Sequence, residues 1–155
     1  MILADDDPSA LSKVFIYGGN RPVTWTVEPS TESRMFQTFP ANLTSSMASK
    51  PYTNHEHSYS LSMETFNNTP GLNQMMKVTS TDKLGNITFV DSMEAKNYPI
   101  YTCMFHPEYQ TLDYVGPKKW KMVANQDTDE IAFRLSLLVN RDARSNTNRI
   151  KGAQK

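Results

Sequence analysis

Hydrophobic and polar residues alternate along several short stretches of the chain, and this alternation predicts β-strands. The run VTWTV at residues 23–27 alternates and is rich in residues that favour strands. Residues 57–66, HSYSLSMETF, alternate in the same way and predict a short strand. Residues 98–105 predict a further strand, because they are apolar and rich in residues that favour strands. Pro99 lies near its start, where a missing N–H is tolerable.

A β-hairpin is predicted in the middle of the chain. The arms are KVTST at residues 77–81 and NITFV at residues 86–90, and residues 82–85 supply the turn. Near the start of the chain, the apolar run KVFIYGGN at residues 13–20 is expected to stop at its two glycines.

The strongest helical pattern comes late in the chain. Asp127 and Glu130 form a D-x-x-E start that resembles a capping box. The side chains at helical spacing on the expected apolar face are Ile131, Leu135 and Leu138, widened by Phe133, Leu137 and Val139. Residues 33–48 predict a turn or two of helix interrupted by Pro40, and residues 111–126 predict a loop. Strands followed by a late helix indicate an α/β or α+β class.

Composition narrows the class of protein. The 155 residues suffice for one domain, which we place at residues 1–145, with a basic flexible tail at residues 146–155. Equal numbers of basic and acidic residues, 16 of each, argue against a nucleic-acid-binding protein. The single cysteine excludes an intramolecular disulfide and a cysteine-rich zinc site. Three N-x-S/T sequons suit a secreted or lysosomal surface, although a chain rich in Asn, Ser and Thr also forms them by chance.

Candidate chemistry centres on YPIYTCMFHPEYQ at residues 98–110. In a strand, Cys103 and His106 would point to opposite faces, because they are three residues apart. His106 and Glu108 would share a face, and a carboxylate can hold one imidazole nitrogen while the other acts as a base. Cys103 is therefore interpreted as a small buried apolar residue. From spacing alone, His106 could equally be a surface histidine in a turn.

Longer motifs around the tripeptide H-P-E resemble the γ-glutamyl hydrolases, which are folate-polyglutamate hydrolases of the class I glutamine amidotransferase-like superfamily. The similar segments are Met93-Glu94, the Y-P-I-Y of residues 98–101, the F-H-P-E of residues 105–108, the S-R-M-F of residues 33–36 and the HSYSLS of residues 57–62. The late helix, ending in VNRDAR, is similar as well. The resemblance covers roughly residues 30–145.

The resemblance implies a three-layer α/β/α fold with a mostly parallel central sheet. It implies that His106 is the catalytic base and then acid, that Glu108 orients its ring, and that His57 binds or polarises the substrate. For His57, a surface histidine beside His55 and Glu56 is an equally open interpretation. The implied nucleophile is a cysteine in a glycine-flanked elbow between a strand and a helix. The implied chemistry needs no metal or organic cofactor.

This sequence contains no glycine-flanked cysteine. We therefore expect it to be the C-terminal part of a γ-glutamyl hydrolase, without the strands and the nucleophile that come earlier in the family. The alternatives are a catalytically inactive remnant or paralogue that binds γ-glutamyl ligands or a partner and, less favoured, the glutaminase domain of an amidotransferase. The expected partners are a small-molecule folate poly-γ-glutamate and a second copy in a homodimer, with no nucleic acid and no membrane. The expected location is lysosomal, vacuolar or secreted, although the start MILADDDPSA does not resemble a signal peptide.

Overall fold

A computed structural model describes residues 8–110 and 123–147 of the chain. The strands within these residues are β1 (Ser12–Arg21), β2 (Thr24–Trp25), β3 (Thr53–Ser60), β4 (Met76–Leu84), β5 (Ile87–Ala95) and β6 (Tyr101–Cys103). The α-helices are α1 (Pro29–Glu32), α2 (Ala41–Ser49), α3 (Met63–Asn68), α4 (Pro70–Met75) and α5 (Gln126–Ser145). Two 3₁₀ turns lie at Pro8–Ala10 and Pro107–Gln110.

The mixed α/β class is confirmed, because strands and α-helices both occur in the described residues. The strands form two sheets. One sheet has the order β2-β4-β5-β6, and the other pairs β1 with β3. Every strand pair in the described part of the chain is antiparallel. The parallel central sheet implied by the family resemblance therefore has no counterpart among these residues.

The predicted hairpin is confirmed, with a tighter turn than the sequence suggested. β4 and β5 pair until Leu84 lies opposite Ile87, so only two residues make the turn. The first of them, Gly85, has a φ of 59°. Two-residue hairpin turns require this left-handed backbone, which glycine adopts without steric cost.

β1 shows why a glycine pair does not have to end a strand. Its ten residues continue through Gly18 and Gly19, so the predicted stop is wrong. Gly18 has a φ of 66°, and the pairing with β3 shifts register between Tyr17 and Gly19. A β-bulge absorbs the glycine, because one extra residue on the bulged strand leaves the pairing intact on either side.

The strand predicted at residues 57–66 is only half correct. β3 ends at Ser60, and α3 begins at Met63 because the Ser62 hydroxyl accepts a hydrogen bond from the Thr65 N–H at 3.0 Å. This side-chain cap stabilises a helix start, which strand alternation cannot reveal. Upstream, α2 begins directly after Pro40, so the interruption that the sequence suggested is the start of this helix.

α5 is confirmed as the long late helix, but its cap and its buried face differ from the prediction. Asn125 and Thr128 form the capping box, two residues before the predicted pair Asp127 and Glu130. Ile131, Leu135 and Leu138 are buried as predicted. Phe133, Leu137 and Val139 are 60%, 49% and 62% exposed, because only one stripe of the helix reaches the core.

The core under α5 positions the candidate site. Its buried members include Met35, Phe36, Phe39, Leu43, Met47, Phe105, Ile131, Leu135 and Leu138. A second cluster lies between α3, α4 and the β4–β5 hairpin. No helix in residues 8–110 and 123–147 is both long and apolar enough to cross a lipid bilayer. Most of the loop predicted at residues 111–126, namely residues 111–122, lies outside the described residues, and Gln126 already belongs to α5. Most of the basic tail, residues 148–155, lies outside the described residues as well.

Candidate functional site

The backbone that carries His106 lies against β3. The strand predicted at residues 98–105 is shorter than expected, since β6 ends at Cys103. Beyond this strand, an isolated bridge joins Phe105 to His55 of β3. The His106 N–H then donates a hydrogen bond to the carbonyl of Asn54 at 2.8 Å. Phe105 is only 3% exposed, so its ring anchors this crossing in the core.

His106 and Glu108 are brought together by the 3₁₀ turn that follows. Nδ1 of His106 lies 2.9 Å from Oε1 of Glu108. The contact therefore does not arise from a shared strand face, as the sequence argument assumed, because both residues lie beyond β6. The turn folds Glu108 back instead. The ring of Tyr109 stacks on the His106 imidazole, with centroids 4.5 Å apart and planes within 11°.

This arrangement suits an imidazole that accepts and releases a proton. A carboxylate only accepts hydrogen bonds, so Nδ1 carries the proton and Nε2 keeps a free electron pair when the ring is neutral. Nε2 lies 3.4 Å from the carbonyl oxygen of Glu56, which can accept a hydrogen bond from Nε2 only when Nε2 carries a proton. The side chains of His106 and Glu108 are 31% and 55% exposed, which leaves them accessible to a ligand.

His57 lies on β3, one residue after the carbonyl that faces His106. It is half-buried, and its ring nitrogens are both engaged: Nδ1 lies 3.2 Å from the carbonyl of Val14, and Nε2 lies 3.2 Å from Nδ1 of His55. Burial lowers the pKa of His57, and the charge of His106 lowers it further, while the Val14 carbonyl raises it. The three histidines of the sequence thus gather along one segment of β3.

Two buried residues next to His57 were missed by the sequence analysis. His55 is fully buried, and its Nε2 lies 3.3 Å from Oδ1 of Asp91 on β5. Burial raises the pKa of Asp91 to about 7, against a hydrogen bond from Ser80 that lowers it. The available signal was weak, because Asp91 directly follows the predicted arm at residues 86–90, and β5 continues through it to Ala95.

Cys103 has a different setting. Burial raises the pKa of its thiol to about 12, and the charges of Asp91 and Glu108 act in the same direction. The thiolate is the nucleophilic form, so this cysteine is poorly reactive at neutral pH. It lines an apolar groove of about 500 Å³ between β6 and α5, together with Leu138 and Phe133. Within the described residues, no three metal-ligating side chains gather into a site for an ion.

Comparison with known proteins confirms the predicted resemblance. The chain is similar to gamma-glutamyl hydrolase of Bos taurus, with 44% identity over 77 residues, which are 50% of this chain and 24% of the bovine protein. It is similar to gamma-glutamyl hydrolase of Homo sapiens, with 33% identity over 123 residues, which are 77% of this chain and 37% of the human protein. Gamma-glutamyl hydrolase B of Dictyostelium discoideum is 40% identical over 79 residues, which are 50% of this chain and 22% of that protein. The chain thus spans well under half the length of these relatives. No family model matches the chain.

Proposed function

Because the chain is homologous to part of the γ-glutamyl hydrolases, we propose that it supplies the base of such an active site. In this proposal His106 is the general base and acid, and Glu108 orients its imidazole. The reaction is cysteine-dependent hydrolysis of γ-glutamyl amide bonds in folate poly-γ-glutamates. The 2.9 Å contact between Nδ1 of His106 and Oε1 of Glu108 is the observation that supports it most directly. The antiparallel sheets would then be part of a larger glutamine amidotransferase-like α/β fold.

The proposed steps follow from the free electron pair on Nε2 of His106. Nε2 takes the proton of a cysteine thiol, and the thiolate attacks the γ-glutamyl carbonyl carbon. Nε2 then gives this proton to the nitrogen of the leaving amine as the C–N bond breaks. In the second half, Nε2 takes a proton from water as the water oxygen attacks the thioester carbonyl carbon, and Nε2 returns this proton to the sulfur as the C–S bond breaks. Glu108 stabilises the imidazolium at each stage without accepting its proton.

The attacking thiol is not that of Cys103. Its raised pKa leaves it protonated, and it lies in the groove next to α5, whereas the His106 imidazole reaches the backbone of β3. Cys103 is the one cysteine of this sequence, so the nucleophile has to come from residues that the sequence does not include. We propose that His57 forms part of the wall that holds the substrate.

The raised pKa of Cys103 also supports a second function. A protein whose one thiol is unreactive can bind a γ-glutamyl ligand without cleaving it. In that case His106 and His57, both partly accessible, would form part of the surface that contacts the ligand. This candidate is a binding protein for γ-glutamyl compounds, and it needs no nucleophile.

The location and assembly expected from the sequence remain proposals. The asparagines of the three sequons, Asn42, Asn67 and Asn86, are all exposed, which supports a lysosomal, vacuolar or secreted protein that carries glycans. A homodimer is the proposed assembly. Treating the native protein with a glycosidase that removes N-linked glycans would lower its apparent mass if the sequons are used. An unchanged mass would contradict this location.

The deciding experiment has two steps. The complete transcript that encodes this chain is sequenced, and its full protein product is then expressed. The product is incubated with a folate poly-γ-glutamate, and released glutamate and ligand binding are both measured. Hydrolysis supports the first function, binding without hydrolysis supports the second, and neither binding nor hydrolysis contradicts both.

Two variants then test the assigned residues. If the product hydrolyses the substrate, His106→Ala should lower kcat/KM by roughly 10²–10⁴-fold with little change in thermal stability. The matched control is Cys103→Ser, which should keep most of the activity. Activity that survives His106→Ala would contradict the proposed base, and activity lost in Cys103→Ser would contradict the exclusion of this thiol.

A further inference from the structure

We propose that Asp91, His55 and His57 form one hydrogen-bonded proton chain, in which a single proton moves between the Asp91 carboxyl group and the His57 imidazole. His55 transmits the proton by changing its tautomer. Asp91 and His55 are positioning residues in this proposal, because they act on the accessible part of the site only through His57.

The proposed proton chain is a row of three polar contacts between side chains and one backbone carbonyl. Oδ1 of Asp91 lies 3.3 Å from Nε2 of His55. Nδ1 of His55 lies 3.2 Å from Nε2 of His57. Nδ1 of His57 lies 3.2 Å from the carbonyl of Val14. The row links β5 in the larger sheet to β3 and β1 in the smaller one, and it runs from the buried interior to a half-buried histidine.

Two observations show that this row is unusual for a core. His55 and Asp91 are 0% and 1% exposed, and a buried ionisable pair is costly unless its hydrogen bonds are satisfied. Oδ1 of Asp91 has no hydrogen-bond partner of good geometry within the described part of the chain, although it faces His55. A small rotation of the carboxyl group would align the two, and a proton between them would satisfy the oxygen.

The number of protons follows from the number of contacts. Each of the three contacts needs one proton between its two atoms, because two facing electron pairs repel each other. The Val14 carbonyl is only an acceptor, so Nδ1 of His57 always carries its proton. Two neutral imidazoles supply two protons, and the third must come from Asp91. The group Asp91–His55–His57 therefore has no net charge when all its contacts are made.

Two arrangements place these three protons. In the first, Asp91 is a carboxylic acid that donates to Nε2 of His55, and His55 donates from Nδ1 to His57. In the second, the Asp91 proton has moved to Nε2 of His55, and the Nδ1 proton of His55 has moved to Nε2 of His57. The result is an Asp91 carboxylate, a neutral His55 of the opposite tautomer and a His57 imidazolium. No proton is gained or lost.

Contacts around the row keep both arrangements accessible. Burial favours the uncharged first arrangement, in agreement with a pKa of about 7 for Asp91 and about 3 for His55. Thr53 favours the second, because its hydroxyl donates to the Arg21 carbonyl at 2.8 Å and can only accept from Nε2 of His55, at 3.2 Å. Ser80 also favours the second arrangement, since it donates to Oδ2 of Asp91 at 2.8 Å.

Charged groups from the neighbouring elements act on this row. Asp82 on β4 raises the pKa of His55, His57 and Asp91, and Arg21 on β1, its ion-pair partner, lowers all three. The charge of His106 lowers the pKa of both His55 and His57. The proton chain goes beyond the proposed function and does not rest on it.

The test follows tautomers by nuclear magnetic resonance on the 155-residue protein with ¹⁵N-labelled histidine. Long-range ¹H–¹⁵N spectra between about pH 5 and 9 report which ring nitrogens are protonated. We expect the fraction of His55 with its proton on Nε2 to follow the fraction of doubly protonated His57. If His55 keeps one tautomer while His57 titrates, the proposal is overturned.

Two variants separate a proton chain from the electric field of Asp91. Asp91→Asn keeps the shape but has no proton to give, so the proton affinity of His57 should fall by about tenfold or more, and the His55 tautomer should no longer change. The matched control, Ser80→Ala, keeps the carboxyl group and should retain the coupled change. A tautomer change that persists in Asp91→Asn would refute the role of Asp91. None of these readouts needs hydrolysis, so a failure here is distinct from a failure of the proposed activity.

Discussion

Replacing Glu94 by glutamine should destabilise the protein, although the two side chains have nearly the same shape. Glu94 lies at the end of β5 and is 1% exposed. Its carboxylate accepts hydrogen bonds from the N–H groups of Arg34 and Met35, at 3.1 and 2.9 Å, and from the Ser33 hydroxyl, at 3.0 Å. Lys77 lies 3.1 Å from the same carboxylate. These contacts hold the segment that places Met35 in the core.

The magnitude follows from the donors that glutamine cannot satisfy. Oε2 of Glu94 accepts from Met35 and Ser33, and Oε1 faces Arg34 and Lys77, so an amide NH₂ in either position leaves one buried backbone N–H without an acceptor. Such a group costs about 1–3 kcal/mol, and the lost charge weakens the remaining bonds. We expect Glu94→Gln to lower the free energy of unfolding by about 2–4 kcal/mol. For a chain of this size, Tm should fall by about 5–15 °C.

The assay is thermal and urea unfolding followed by circular dichroism. The control is Glu130→Gln, which removes a partly exposed ion pair with Arg134 and should cost only about 0.3–0.5 kcal/mol. If the two variants are equally stable, Glu94 does not hold the segment in the way described here.

The pH dependence provides a second check on Glu94. Burial raises the pKa of Glu94, but the hydrogen bonds from Met35, Arg34, Lys77 and Ser33 outweigh it, so the net shift is downward from the usual 4.5. Because the folded pKa is below the unfolded one, this stabilisation is present above about pH 4.5 and is lost as the pH falls further. The glutamine variant should therefore approach the wild type in stability in acid.

Two further predictions concern the cap of α5 and the buried His55. Asn125→Ala should lower the free energy of unfolding by about 1–2 kcal/mol, because it removes the cap of α5. The control Asn140→Ala, at an exposed position in the same helix, should change this free energy by less than about 0.5 kcal/mol. Equal changes in urea unfolding would contradict the capping role of Asn125. Burial lowers the pKa of His55 to about 3 in the folded protein, from 6.5 in the unfolded chain. The unfolded state therefore takes up a proton first, and stability should fall as the pH drops from about 6.5 towards 3. His55→Gln should weaken this fall, and an unchanged pH dependence of stability would contradict a neutral, buried His55.

His106 and Glu108 lie together as the sequence predicted, but the geometry that joins them differs from the predicted one. His106 and Glu108 were paired on the argument that residues two apart share a strand face, and the structure brings them together by a 3₁₀ turn beyond the strand. The pairing was predictable because two residues so close in sequence remain neighbours in either geometry. The involvement of β3 was not, because the contact of His106 with Asn54 and Glu56 joins segments about 50 residues apart, and no local pattern encodes it.

The features that depend on neighbouring residues could be predicted from the amino-acid sequence alone. These are the β4–β5 hairpin, the existence of α5 with its buried Ile131, Leu135 and Leu138, and the motifs that identified the γ-glutamyl hydrolase relatives. Hydrophobic periodicity and turn chemistry are local, so they can be read along the chain. The contact of His55 with Asp91 in the core and the exposure of one face of α5 could not be predicted in this way. Burial and the pairing of distant strands set these outcomes, because the pKa of a side chain depends on the charges and the solvent that the whole fold places around it.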